Sequence, residues 1–176
     1  SLKQQLGLAT ENRRVKPAEK GVAGLMVEVY RTFASELTGQ ALLEWHATLM
    51  QGRAGSIAIG QYRTSQEPMQ VASGPIHARK VHFEAPPASR VPMEMEHFVK
   101  WFNRTAPTGR TPLPALTRSG IAHTYFESIH PFEDGNGRIG RAIAEKALAQ
   151  SLGQPTLVAL SYMIEKHKKA YYDALE

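Results

Sequence analysis

Apolar residues recur at helical spacing through most of the chain. Val22, Met26, Val29, Phe33 and Leu37 form one stripe, and Gly39 is predicted to cap the end of that helix. Leu42, Trp45, His46 and Leu49 form a second stripe. Pro92 suits the first turn of a third helix, with Met95, Phe98, Val99 and Phe102 on its buried face. Ala122, Tyr125, Phe126 and Ile129 continue the period, and so do Ile139, Ile143, Ala147 and Leu148, until Gly153 and Pro155 end the run. A last helix is predicted from about Ser161, carrying Ile164, Lys168, Tyr171 and Leu175.

Residues 52–91 break this rhythm. Gly and Pro are frequent, and short extended stretches occur at Ile57–Ile59, Met69–Ala72 and Val81–Phe83. Ser73-Gly74-Pro75 is a turn signal after the second, so a hairpin is predicted. The fold class is therefore mainly α with one β-excursion. That excursion is much longer than an ordinary connector, which marks it as a functional segment.

Composition adds exclusions. The chain has 176 residues and a formal net charge of +5, and 42% of its residues are hydrophobic, as an ordinary globular core requires. It has no cysteine, so disulfides, thiolate metal sites and cysteine nucleophiles are excluded, and a reducing cytoplasm is the expected setting. No apolar run approaches the roughly 20 residues of a membrane span. The basic residues, among them Arg13, Arg14, Arg53, Arg63, Arg79, Lys80, Lys168 and Lys169, are scattered and not interleaved with aromatics. A solvated basic surface is expected, and nucleic acid is disfavoured as a partner. His46, His77, His82, His97 and His123 show no mutual metal-ligand spacing.

The chemistry concentrates in His130-Pro131-Phe132-Glu133-Asp134-Gly135-Asn136-Gly137-Arg138-Ile139-Gly140-Arg141. This segment reads as a helix end, a Gly-Asn-Gly loop and the start of a second helix. The loop glycines permit close backbone approach, and N–H groups at a helix start favour anions such as phosphates. Arg138 and Arg141, three apart, share a helix face from which both can grip a polyphosphate. Asp134 offers the hard oxygen that Mg²⁺ takes beside phosphates, and His130 can accept a proton near neutral pH. A base, a metal carboxylate, an anion loop and two arginines make most of a nucleotidyl- or phosphoryl-transfer site.

The segment resembles the signature of the Fic family, H-P-F-x-(D/E)-G-N-G-R-x-x-R, at every fixed position. Gly60-Gln61-Tyr62-Arg63 with Met69-Gln70-Val71 resembles the entry to that family's flap, and Tyr171-Tyr172 resembles a tyrosine pair that closes its adenosine pocket. The resemblance implies a Fic-type helical bundle with a β-hairpin flap, and a protein adenylyltransferase that moves AMP from Mg-ATP to a Tyr, Thr or Ser hydroxyl of a target protein. It implies His130 as the base, Asp134 as the Mg²⁺ ligand, and Gly135, Asn136, Gly137, Arg138 and Arg141 as phosphate binders. Phe132 is expected to anchor the core. Tyr171, Tyr172 and His167 would border the adenosine, and Met69, Gln70, Val71, Ala72 and Ser73 would register the target by strand addition. Residues 1–20 are expected to be a lead-in from an upstream segment, and 21–176 the domain, with its flap at about 60–84.

Many members carry an inhibitory (S/T)-x-x-x-E-(G/N) segment whose Glu pairs with the second motif arginine. Thr32 to Glu36 is followed by Leu37, and Ser161 to Glu165 by Lys166, so neither qualifies. The expectation is an inhibitor elsewhere, in a longer chain or a separate protein, acting on Arg141. The alternatives are a related transfer at the same site (phosphorylation, phosphocholine transfer or removal of AMP) and a basic nucleic-acid-binding module. Gly137 argues against the kinase-like branch, which has lysine there, and an intact His130 and Asp134 argue against the module.

Overall fold

The computed structural model describes residues 17–51, 57–65, 67–73, 80–156, 163–164 and 166–173. Six helices and one hairpin appear among them: α1 (Pro17–Arg31), α2 (Gly39–Leu49), β1 (Gln70–Ser73), β2 (Lys80–Glu84), α3 (Val91–Arg104), α4 (Ala115–Ile129), α5 (Asn136–Leu152) and α6 (Lys168–Asp173). A 3₁₀ turn at Ala88–Arg90 leads into α3. The mainly α class, with a hairpin as a minor addition, matches the expectation from the sequence.

The core forms where the apolar stripes of α1 to α5 meet: Leu25 and Val29, Leu42 and Leu49, Met95 and Phe98, Ala122 and Phe126, Ile139 and Ile143. Phe98 lies at its aromatic centre, with the Tyr125 ring edge-on at 5.3 Å and the Phe126 ring at 5.8 Å. Most predicted stripes are thus buried as read. The first is not. Its helix ends at Arg31, Val22 is 40% exposed, and the buried positions are Gly21, Ala23, Leu25, Val27 and Val29.

The reason is a side chain from far along the sequence. Lys146, on α5, donates its Nζ to the Thr32 and Phe33 carbonyls and so stops α1 there. Leu37 is buried from the following loop, held by Asn103, which donates to its carbonyl (2.8 Å) and accepts from its N–H (2.9 Å). Gly39 then opens α2 instead of closing α1, and the Thr38 hydroxyl accepts from the Ala41 N–H as an N-cap.

The basic residues are not all on the surface either. Arg118, fully buried on α4, donates to the Phe102 carbonyl (2.9 Å), the Ala147 carbonyl (3.2 Å) and the Gln150 Oε1 (2.7 Å). Its guanidinium also lies 4.2 Å from the centre of the Phe102 ring. Burial lowers its pKa to about 10, which leaves it cationic at neutral pH. It closes the C-terminal end of α3 and ties α3, α4 and α5 together.

The predicted hairpin is present. β1 and β2 run antiparallel with Gln70 opposite Glu84, Val71 opposite Phe83, Ala72 opposite Val81 and Ser73 opposite Lys80, with a register irregularity after Val71. The Gln70 amide donates to the Glu84 carboxylate across the pair at 2.7 Å. The predicted turn at 74–75 lies outside the described residues. Ile57–Ile59 is not a strand: it bends, and Ile57 and Ile59 pack on the core.

Replacing Arg118 with Leu removes its buried hydrogen bonds to Phe102, Ala147 and Gln150 together with its contact on the Phe102 ring, so stability is expected to fall by about 3 kcal/mol. A urea midpoint within about 0.5 kcal/mol of the wild type would remove Arg118 as the joint between these helices.

Candidate functional site

α4 ends at Ile129, and His130 takes the left-handed conformation (φ 48°, ψ 59°) as its cap, its N–H donating to the Phe126 carbonyl at 3.1 Å. It is the one non-glycine residue with positive φ among the described residues. That geometry costs on the order of 1 kcal/mol and needs outside support. Arg63 supplies it. Its backbone N–H donates to the Pro131 carbonyl (2.9 Å), its Nε to the His130 carbonyl (2.7 Å), and its Nη2 to the Pro86 and Ile129 carbonyls. Arg63 is 3% exposed, so the sequence reading of it as a surface cation is corrected: it binds both roots of the hairpin excursion to His130.

Burial lowers the His130 pKa from its ordinary value, and the Arg63 charge lowers it further.

The loop after His130 is closed by one side chain. Asn136 accepts from the Phe132 N–H (3.0 Å) and donates to the Phe132 carbonyl (2.8 Å), all of it buried. Phe132 is fully buried, as expected of a core anchor, and stacks on His46 at 4.1 Å with the rings 4° from parallel. His46 Nδ1 accepts from the Gly60 N–H at 2.9 Å, so its Nε2 carries the proton and donates to the Asp134 carbonyl at 3.2 Å. Burial lowers the His46 pKa, consistent with that neutral tautomer.

Gly135 has φ 88°, a left-handed conformation that favours glycine. Its carbonyl accepts from the Arg138 and Ile139 N–H groups and starts α5. Among the described residues the N–H groups of Asn136 and Gly137, at the start of α5, have no protein acceptor. Asp134 lies beside them. Its Oδ1 accepts from the Gly135 N–H (2.6 Å) and from Arg138 (3.1 Å). Arg141 is half-buried one turn further along the same helix.

Of the residues predicted to border adenosine, Tyr171 is joined to this assembly through a 2.7 Å hydrogen bond between its hydroxyl and His123 Nε2. His167 is exposed, and its backbone carbonyl accepts from the Tyr171 N–H at 3.0 Å. The Tyr172 side chain lies outside the described residues, as do those of Val71, Ala72 and Ser73. Met69 and Gln70 are half-buried at the start of the hairpin.

Sequence reasoning missed Glu127, His123 and the bracing role of His46. Glu127 and His123 sit at i−3 and i−7 from His130, a face-sharing signal that was available.

A helical bundle with a tight loop, from His130 to Gly135, between its two central helices defines the class. The family model described as Fic/DOC matches residues 36–148, and the chain belongs to the Fic/DOC family. A probable protein adenylyltransferase of Aquifex aeolicus is 36% identical over 69 residues, which is 39% of this chain and 20% of that protein. The protein adenylyltransferase Fic of Aedes aegypti is 27% identical over 142 residues, 80% of this chain and 24% of that protein. The matched stretch thus spans about a quarter or less of these relatives.

Among solved structures, a Fic-domain-containing signalling protein of Bacteroides thetaiotaomicron aligns with a TM-score of 0.75 at 24% identity, covering 99% of this chain and 62% of that one. A Fic family protein of Desulfovibrio desulfuricans aligns with a TM-score of 0.67 at 27% identity, covering 98% and 49%. Among the described residues no helix is long and apolar enough to cross a membrane.

Asn136→Ala removes both partners of buried Phe132 groups, and a loss of about 2–4 kcal/mol is expected. Thermal unfolding checks it, and an unchanged midpoint would show that the loop closes without the amide.

Proposed function

We propose that this chain is a protein adenylyltransferase domain, which transfers AMP from Mg-ATP to a Tyr, Thr or Ser hydroxyl of a target protein. The observation that carries the reading is the placement of His130: it caps α4 in the left-handed conformation, held there by Arg63, immediately before the loop that starts α5.

In this reading the target hydroxyl gives its proton to a ring nitrogen of His130 as its oxygen attacks the α-phosphorus. The new P–O bond forms as the bond to the α–β bridging oxygen breaks. AMP stays on the protein and pyrophosphate leaves. Gly135, Asn136 and Gly137 hold phosphate oxygens through the loop and the helix start. Arg138 and Arg141 neutralise the β/γ end.

No group of three or more His, Cys, Asp or Glu side chains among the described residues makes a closed metal site. Asp134 contributes one carboxylate at the loop, which fits Mg²⁺, an ion usually held by one or two carboxylates together with substrate phosphates and water. When bound, Mg²⁺ would offset charge on the α- and β-phosphates. Tyr171 borders the adenosine, and Met69 together with strand β1 (Gln70, Val71, Ala72 and Ser73) pairs with the target backbone. The domain is taken to run from 21 to 176, in a cytoplasmic setting, with an inhibitory segment or protein that acts on Arg141.

His130→Ala is expected to cut AMP incorporation from α-labelled ATP by at least about 100-fold, with ATP affinity within about threefold of wild type. Undiminished labelling by that variant would remove His130 as the base. Arg141→Ala is expected to weaken ATP binding about tenfold or more while adenosine binding is unchanged, read by calorimetry. Equal losses for both ligands would move Arg141 away from the phosphates.

A further inference from the structure

Among the described residues, the buried charges of this bundle are engaged with one exception. Arg63, Arg118 and Lys146 each donate to carbonyls, and Glu145 accepts from the Tyr30 hydroxyl. The exception is Glu127. Its Oε1 is buried without a hydrogen-bond partner, and so is Nδ1 of His123, one turn earlier on the same face of α4.

Both atoms crowd onto a single glycine of the facing helix. A Cβ at Gly140 would lie 2.5 Å from Glu127 Oε1 and 2.9 Å from His123 Nδ1. A glycine inside a helix costs about 1 kcal/mol relative to alanine, and here the missing methyl is the space that these two polar atoms occupy. One turn back, the point where a Gly137 Cβ would stand is 3.9 Å from the same carboxylate oxygen and 3.4 Å from Nη1 of Arg141. The carboxylate and the guanidinium therefore border one small space left by two glycines. No ion pair joins them in this structure.

We infer that Glu127 is a positioning residue for Arg141: its carboxylate, when charged, competes with a polyphosphate for that guanidinium and weakens the grip on nucleotide. This rests on the proposed role of Arg141 at the β/γ end of ATP. Among the described residues, these groups bear on Glu127. From α5 the charged group bearing on it is Arg141. On its own helix His123 and His130 flank it, and α6 approaches through Tyr171, on the far nitrogen of His123. α3 meets α4 through the rings of Phe98 and Trp101 on Tyr125 and Phe126.

Burial raises the Glu127 pKa to about 7, against the pull of Arg141, so its charge changes within the range a cell uses. The sign follows from linkage. Below about 7 Glu127 is neutral and Arg141 is fully available to phosphate. Above it the carboxylate is charged, stands close to the incoming phosphate charge, and ATP binding must draw a proton onto it.

Two measurements on the same chain test this. The first follows the Glu127 carboxyl carbon by NMR in the ligand-free protein from pH 5 to 9, assigned by its absence in Glu127→Gln. A midpoint near 7 that rises in Arg141→Gln supports the pairing; a midpoint that ignores Arg141→Gln, or an ordinary carboxylate midpoint, overturns it whatever the nucleotide does. The second is ATP calorimetry at pH 6 and pH 8. Glu127→Gln shares every titration of ATP itself, so the comparison isolates Glu127. Wild-type affinity relative to Glu127→Gln is expected to fall about fivefold between the two pH values. A constant ratio overturns the competition. If the NMR arm holds but ATP binds at neither pH, the nucleotide reading is at fault and the competition falls with it.

Discussion

The site depends on one amide. Asn136 holds both polar backbone groups of Phe132, so the turn between α4 and α5 can close over a fully buried ring. Without those two bonds a buried N–H and a buried carbonyl would each lack a partner, a cost comparable to the stability of a marginal domain's whole surplus. With them, Phe132 stacks on His46, and His46 ties the Asp134 carbonyl to the Gly60 N–H. The carbonyls of the loop face inward onto protein donors, while the N–H groups of Asn136 and Gly137 remain for an anion. The same bonds that keep the loop folded thus give it polarity.

A second rule organises the bundle. Helix C-termini carry unsatisfied carbonyls and partial negative charge, and here three of them are closed by long cations reaching in from other elements. Lys146 closes α1, Arg118 closes α3 and Arg63 closes α4. Each cation is desolvated, which lowers the pKa of all three, to about 8 for Lys146. None of the three has an acidic partner at hydrogen-bond distance among the described residues. The carbonyl dipoles at the helix ends take that place, and the long side chains bring separate helices together as they do so.

These two devices explain what was legible in the sequence. The motif from His130 to Arg141 could be read because its parts act over one or two turns: a loop, a helix start, two arginines on one face. The stripes of α2 to α5 could be read because burial follows the helical period. The end of α1 could not, since Lys146 stands more than a hundred positions away and a lysine in a stripe looks like surface. Arg63 was misplaced for the same reason: nothing local distinguishes an exposed arginine from one that holds four carbonyls. Glu127 was overlooked although it lies three residues before His130, because a lone carboxylate on a helix is ordinarily solvated. What makes it unusual is Gly140 on the neighbouring helix.

The left-handed His130 joins these threads. Backbone in that region does not persist in a β-unbranched, non-glycine residue ahead of proline unless its surroundings hold it. The restraint comes from Arg63, which takes the carbonyls of Ile129, His130 and Pro131 on one side and that of Pro86 on the other. Residues 63 and 86 are the two roots of the hairpin excursion. Any displacement of the hairpin that reaches its roots must therefore act on the backbone of the proposed base, through one guanidinium and without an intervening flexible segment. A target strand pairing with β1 would load the same residue. Arg63 in this way couples the backbone of His130 to the seating of the hairpin, although it stands 67 residues before His130 in the sequence.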